Sequence, residues 1–291
     1  TLAVTFADIG FKVRGLDSDA QVINLLNSGR PHFFEQGLEQ IFKDNFKNNL
    51  NIVENFKAEN NCDAYFIAVG TPLDKKTKKP DLRHIKSAAE NIGGVLKFGD
   101  AVILRSTVPI GTTRKVVIPI LEKKSGFKAG TDFFVAFAPE RTVEGKALEE
   151  LKKLPQVIGG INWTSVDLVA NIFNHLTHSV VLVDSLEEAE MVKLVNNVYR
   201  DVTFAFANEL ALVCHKLNID TRRVIEAANR GYDRGQVPWP SPGVGGVCLE
   251  KDPFLFIGSA QAAKYTPKLA QNARAISGLI VDFVAAEVSS F

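Results

Sequence analysis

Short apolar runs alternate with longer amphipathic stretches from the N-terminus to about residue 185. TLAVTFADIG has a helical period. KVRGLD (12–17) reads as a strand, and the stretch after it is helical until Gly29 stops it. CDAYFIAV (62–69) is a nearly unbroken apolar run, as expected for a strand buried on both faces. DLRHIKSAAENIGGVL is helical in period, and DAVILRSTV (100–108) is again a buried strand. GTTRKVVIPILEKKSG is helical with a proline near its middle, and DFFVAFAPE (132–140) is another strand. PQVIGGI, TSVDLVANIFNHLT and SVVLVDS repeat strand, helix and strand. Repeated β-α-β with strands this apolar predicts an α/β domain over residues 1–185, built on a doubly wound parallel sheet.

The texture changes after Ser185. EEAEMVKLVNNVYRDVTFAFANELALVCHKL keeps a helical period with no Gly or Pro. A second helix, IDTRRVIEAANRG, ends at Gly231; a turn-rich segment follows, and helices resume to the C-terminus. Residues 186–291 are therefore expected to form a helical domain with the long helix as its spine. A helix of that length suits the seam of a homodimer.

Composition narrows the class. Hydrophobic content of 46% and charged content of 23% are those of an ordinary soluble chain. The formal net charge is +1 with the basic residues dispersed, which leaves no nucleic-acid footprint. No apolar run is long enough for a membrane helix and no signal peptide is visible. Cys62, Cys214 and Cys248 are odd in number and far apart, which suits a reducing, cytoplasmic setting and makes no disulfide framework. The histidines show no metal-ligand spacing, so no metal is expected. Met191 is the only methionine, and the chain is expected to be a processed or truncated product.

A strand ending in an acid is the second element of a dinucleotide-binding unit, where the carboxylate accepts from ribose hydroxyls and favours NAD over NADP. Asp17 fits this, although such a residue also caps the next helix. The glycine-rich turn belongs about 20 residues upstream of the acid, and counting back from Asp17 runs off the chain. The Rossmann-like sheet is therefore expected to lack its first strand. Two further strand ends strengthen the cofactor reading: Gly70, Thr71 and Pro72 in AVGTP, and Ser106 and Thr107 in RSTVPIGTT. In the second, Gly111, Thr112 and Thr113 open a helix. Its free N–H groups suit an anion, and an ordinary turn with an N-cap explains them as well.

Lys193 and Asn197 are four apart on the long helix and share a face. Together they suit an oxyanion and a hydroxyl, and a solvated helix face is the plainer explanation. Cys248 follows Gly243, Gly245 and Gly246, which let the backbone turn tightly and approach a ligand. Asp252-Pro253 reads as N-cap and first helical residue. That puts Cys248 just ahead of a helix N-terminus, with Lys251 near, a setting that favours the thiolate. A small buried cysteine in a turn is the alternative.

GLD at Asp17, AVGTP, STVPIGTT, APERTVEGKALEEL, AEMVKLVNN and GVGGVCLEKDP stand in that order along the chain. By these motifs it resembles the UDP-glucose/GDP-mannose dehydrogenase family, the nucleotide-sugar 6-dehydrogenases. The resemblance implies oxidation of the C6 alcohol of a UDP-sugar to a carboxylate with two NAD in succession. It makes Cys248 the nucleophile that forms a thiohemiacetal and then a thioester. It makes Lys193 the oxyanion stabiliser, Asn197 its hydrogen-bonding companion, Asp252 the acid/base, and Glu140 and Thr107 the residues that position water. Glu144 and Lys251 match cofactor-side positions. Arg141, Gly245 and Gly246 fall at substrate positions, and Arg230 and Arg234 are where a contact reaching across a dimer is expected. Full members carry a C-terminal UDP-binding domain, which this chain is expected to lack, and Val247 is neither of the residues common before the cysteine. PERT and VIGG (157–160) look more like members acting on UDP-N-acetylhexosamines, with N-acetylmannosamine the expected sugar; Glu144-Gly145 and Lys251-Asp252 are closer to the UDP-glucose type. A single-step hydroxyacid dehydrogenase and an inactive dimerising fragment are the other readings.

Overall fold

The computed structural model describes residues 1–55, 62–242 and 246–289. It divides into two compact units. The first comprises Thr1–Thr71, Leu82–Thr107 and Gly111–Glu190; the second comprises Pro72–Asp81, Val108–Ile110 and Met191–Phe291.

In the first unit, helix α1 (Leu2–Asp8) leads to strand β1 (Val13–Gly15) and helix α2 (Ala20–Asn27). Helix α3 (Leu38–Asn45) and strand β2 (Leu50–Ile52) follow, and β2 pairs in parallel with β1. The period reading passed over both, because β2 has only three residues and α3 follows a turn centred on Gly37, whose φ is 82°. A five-stranded sheet holds β3 (Ala64–Ile67), β4 (Ala101–Leu104), β5 (Phe134–Phe137), β6 (Gln156–Gly160) and β7 (Val180–Val183) in that order.

The sheet is parallel except at β5 and β6, which pair antiparallel through Ala136↔Gly160 and Phe137↔Gly159. The sequence reading expected parallel strands throughout. The chain between them carries only the short helix α6 (Ala147–Lys153), which packs on α1 instead of crossing the sheet, so β6 enters from the end at which β5 leaves. Helix α4 (Arg83–Gly93) packs on α5 (Ile118–Ser125), and α7 (Trp163–Asn174) covers β5 and β6. A π-helical turn, Thr113–Val117, runs directly into α5. β4 is buried at every position, and a core cluster centres on Phe6, Ile103, Ala136, Ile158 and Phe173.

Helix α8 (Leu186–Lys216) is 31 residues long, about 46 Å at 1.5 Å per residue. Within the second unit it is joined by α9 (Thr221–Asn229), α10 (Val247–Ala262) and α11 (Lys268–Ser289). The buried face of α8 carries Leu194, Asn197, Val198, Asp201, Ala205 and Asn208, a run at helical spacing. Its polar members are engaged inside the unit. Asp201, fully buried, takes a bidentate pair from Arg274 of α11, with the Nε contact at 2.8 Å. Asn208 Oδ1 accepts from the Ser241 N–H at 2.8 Å. The exposed side of the same helix carries apolar residues among polar ones: Val195, Tyr199, Phe206 and Val213 are each about half exposed or more, beside exposed Asn196, Arg200 and Glu209. Among the described residues, no helix is long and apolar enough to cross a membrane.

Candidate active site

The carboxyl ends of β3 and β4 are tied to each other. Thr71 Oγ1 donates to the Thr107 carbonyl at 2.6 Å, and Ser106 Oγ donates to the Val69 carbonyl at 2.7 Å. Both hydroxyl residues are buried. The pair is a fixed edge, with those protons committed to the backbone. Gly70 between them faces open space, where an added Cβ would meet nothing within 4 Å. Pro72 opens the small loop of the second unit and accepts from the Asp81 N–H at 2.8 Å.

Asp17 lies exposed just beyond β1 and accepts from the Asp19 N–H at 2.9 Å. The cap of α2 is Asp19, which accepts from the Gln21 N–H at 2.8 Å. Asp17 is therefore spared the capping role, and its solvent-facing carboxylate retains acceptor sites of the kind a ribose diol needs. That acceptor chemistry fits NAD.

The anion at the helix opened by Gly111–Thr113 is internal. The N–H groups of Gly111 and Thr113 and the Thr113 hydroxyl all donate to the Glu190 carboxylate, the last two at 2.9 and 2.6 Å. Gly111 has a φ of 88°, which lets the loop fold around that carboxylate. Burial pushes the Glu190 carboxyl above its ordinary range, against these three hydrogen bonds. Burying an acid without such donors costs several kcal/mol, so the loop and Glu190 depend on each other.

Glu140, just past β5, is held on three sides. Its Oε1 accepts from the Arg141 and Thr142 N–H groups at 2.8 and 2.9 Å, and its Oε2 accepts from Arg105 Nη2 at 2.7 Å. Burial alone would raise its pKa, but the Arg105 charge and the Thr142 hydrogen bonds outweigh it and hold the carboxyl below the usual range. Arg105 donates from Nη1 to the Ala138 carbonyl and to Gln156 Oε1, both at 2.9 Å, and its guanidinium lies 5.4 Å from the Phe173 ring centroid. Its Nε–H is buried with no acceptor among the described residues. An orphan of that kind costs about 1–3 kcal/mol. The sequence reading missed Arg105 and Glu190. The available signal was a charged residue at the end of an otherwise apolar strand, and an acid three residues before Lys193.

In the second unit, Asn197 Nδ2 donates to Asp252 Oδ2 at 2.5 Å. Asp252 is fully buried, and Lys251 Nζ lies 3.8 Å from its other oxygen, which accepts no hydrogen bond among the described residues. Burial raises the Asp252 carboxyl, opposed by the Asn197 hydrogen bond and the charges of Lys251 and Lys193.

The expected N-cap at Asp252 is corrected here. α10 starts at Val247, and Asp252-Pro253 sits inside it. Pro253 is the seventh residue of the helix and supplies no N–H to the ladder there. Cys248 is thus in the first turn, exposed, and Asp252 is four residues on and buried on the same side of the helix. Gly246 caps the helix with a φ of 90°; Gly245 and Gly243 lie outside the described residues.

The remaining expected residues are placed as follows. Arg141 directs Nη1 to the Pro155 carbonyl at 3.2 Å, and Glu144 is exposed before α6. Arg230 and Arg234 are exposed after α9, Arg234 lying 5.5 Å from the Tyr232 ring centroid. Cys214 is buried and Cys62 half-buried. Gly159 of VIGG is a packing requirement: a Cβ there would sit 2.2 Å from the Ser185 carbonyl oxygen.

Comparison with known proteins gives this geometry a family. Residues 1–177 match the NAD binding domain, and residues 187–277 the central domain, of the UDP-glucose/GDP-mannose dehydrogenase family. UDP-N-acetyl-D-mannosamine dehydrogenase of Pyrococcus horikoshii is 34% identical over 260 residues, covering 89% of this chain and 61% of the relative. The enzyme of that name from Yersinia pestis is 34% identical over 297 residues, covering 99% of this chain and 69% of the relative. The chain thus spans about three fifths of the length of most relatives it matches. The solved structure of the Pyrococcus horikoshii UDP-D-ManNAc dehydrogenase superposes with a TM-score of 0.92 at 33% identity, covering 99% of this chain and 68% of that one. A UDP-glucose dehydrogenase from Pyrobaculum islandicum gives 0.84 at 32% identity, covering 95% and 64%. By sequence and by fold, the chain belongs to the UDP-glucose/GDP-mannose dehydrogenase family.

Proposed function

We propose that this chain carries the reacting residues of an NAD-dependent UDP-sugar 6-dehydrogenase whose substrate is UDP-N-acetylmannosamine. The observation that carries the reading is the pairing, one helical turn apart, of an exposed Cys248 with a buried Asp252 bonded to Asn197. The names of the relatives support the acetamido sugar over glucose.

NAD, when bound, supplies the hydride acceptor for each of two oxidations. Asp17 would hold its adenosine ribose, with Gly70, Thr71, Pro72, Ser106 and Thr107 along the strand ends and Glu144 and Lys251 at further cofactor-side positions. Arg141, Gly245 and Gly246 would meet the sugar nucleotide. In the first oxidation the C6 alcohol loses a proton and a hydride and becomes an aldehyde, with Asp252 as the proton acceptor. The Cys248 sulfur then adds to that carbonyl carbon, and the new oxyanion is met by Lys193 and by the Asn197 amide. Protonated, this is a thiohemiacetal; losing a second hydride and its proton, it becomes a thioester. Water held by Glu140 and Thr107 adds to the thioester carbon, the C–S bond breaks, and Asp252 returns a proton to the sulfur. A buried acid with a raised pKa suits both directions of transfer.

The long helix is proposed to form a homodimer. Its inward face is partly polar while Val195, Tyr199, Phe206 and Val213 stand exposed on the other, and a stripe of that kind on a soluble protein marks an interface. Arg230 and Arg234 are proposed to reach the substrate of the neighbouring copy. The cysteine usage fits a cytoplasmic protein.

The test incubates the protein with NAD and, separately, UDP-N-acetylmannosamine, UDP-N-acetylglucosamine and UDP-glucose. Two NADH per sugar are expected, with the highest kcat/KM for the first. One NADH per sugar, or full activity in Cys248→Ser, would sink the thioester route.

A further inference from the structure

Glu140 is the one residue of this set whose carboxylate is nearly saturated. A carboxylate offers about four acceptor positions, and three are filled by Arg105 Nη2 and the N–H groups of Arg141 and Thr142. Its side chain is still 38% exposed, whereas that of Arg105 is 3% exposed. The Thr142 side chain adds a further hydrogen bond, and what is exposed of the carboxylate is its one open side.

Arg105 is anchored independently of Glu140. Its Nη1 is shared between the Ala138 carbonyl and Gln156 Oε1, and the plane rests on Phe173. Gln156 is itself fixed by donating to the Pro139 and Val157 carbonyls at 3.1 and 2.8 Å. The guanidinium thus brackets the ends of β4, β5 and β6, and only its second amino group turns toward the carboxylate. A structural brace would not need a charge here, since burying one with an unmet Nε–H is costly.

We propose that Arg105 is the positioning residue for Glu140, holding that carboxylate as an ionised, acceptor-only group whose exposed side faces water. The proposal rests on the reading of Glu140 as the residue that holds the hydrolytic water. It also assigns the proton: a carboxylate so held orients water but does not take its proton, which leaves proton transfer to Asp252.

The experiment titrates Glu140 directly, by 13C NMR of protein labelled at the glutamate side-chain carboxyl carbon, with Glu140→Gln for assignment. This needs no substrate. Wild-type Glu140 is expected to titrate below the ordinary glutamate range. In Arg105→Met it is expected to move up by about one pH unit or more, and in Arg105→Lys to stay within about half a unit of wild type. The acid limb of the NADH-formation profile is expected to move in parallel, which a loss of bracing alone would not cause. An unmoved Glu140 in Arg105→Met, or equal movement in both variants, overturns the proposal. If Arg105→Met does not fold, Gln156→Leu loosens the guanidinium while leaving its charge. A smaller upward shift is expected there, and no shift overturns the proposal. A wild-type protein that oxidises no UDP-sugar sinks the functional reading, and the NMR titration still decides for or against Arg105.

Discussion

Asn197 Nδ2 donates to Asp252 Oδ2 at 2.5 Å, joining α8 to α10 through two polar groups that are both buried. The second Asp252 oxygen accepts no hydrogen bond among the described residues, and burial makes the ionised form costly. The sign follows from the direction of the shift. The folded state binds this proton more tightly than the unfolded state, so the stability contribution is complete below the unfolded carboxylate pKa, about 3.9, and is lost as pH rises through the higher folded value. Asp252→Asn keeps an acceptor for Asn197 and has no charge to bury. Its melting temperature relative to wild type is expected to rise with pH between about 4 and 8; a difference constant with pH would contradict this. Turnover in the same variant is expected to fall at least ~100-fold.

Alkylation should discriminate the three cysteines by place. Cys248 is exposed, Cys62 is half-buried with Arg14 Nη1 3.7 Å from its sulfur, and Cys214 is buried. A short iodoacetamide pulse followed by peptide mass spectrometry is expected to label Cys248 first and Cys214 only after unfolding. Earlier labelling of Cys62 would count against an accessible Cys248.

Replacing Glu190 with Ala removes the acceptor for two N–H groups and one hydroxyl in a buried loop. A loss of about 2–4 kcal/mol is expected in urea unfolding, at roughly 1 kcal/mol or more per orphaned donor. Glu190→Gln, which keeps one acceptor oxygen, is expected to cost less.

Two glycine substitutions should differ in sign. Gly159→Ala forces a methyl to 2.2 Å from the Ser185 carbonyl oxygen and 2.9 Å from the Ala189 Cβ, and is expected to destabilise by about 1–3 kcal/mol. Gly258→Ala, inside α10 with open space around it, is expected to stabilise by up to ~1 kcal/mol. Denaturant midpoints check both.

Phe206→Arg places a charge in the middle of the exposed apolar stripe of α8. Size-exclusion chromatography with light scattering is expected to report a dimer for wild type and a monomer for the variant. An unchanged mass would move the interface elsewhere.

Local signals were legible. The apolar runs that became β3 to β7, the unbroken period of α8, and the turn chemistry at Gly29 and Gly231 depend on near neighbours in the chain, and period alone reveals them. So did the candidate residues whose motifs are short: Lys193 with Asn197, and Cys248 with Asp252, each four apart and hence on one helical face. Distance in sequence hid the rest. That β6 runs antiparallel to β5, that Arg105 meets Glu140 thirty-five positions later, and that Glu190 closes the loop at Gly111 are contacts between separated segments, and no window of neighbouring residues carries them. Asp252 marks the boundary between the two. Its residue type and spacing suggested both a cap and an acid/base; the start of α10 at Val247 rules out the cap, and only the tertiary structure buries the carboxyl beside Asn197, where a helix end would have left it in water.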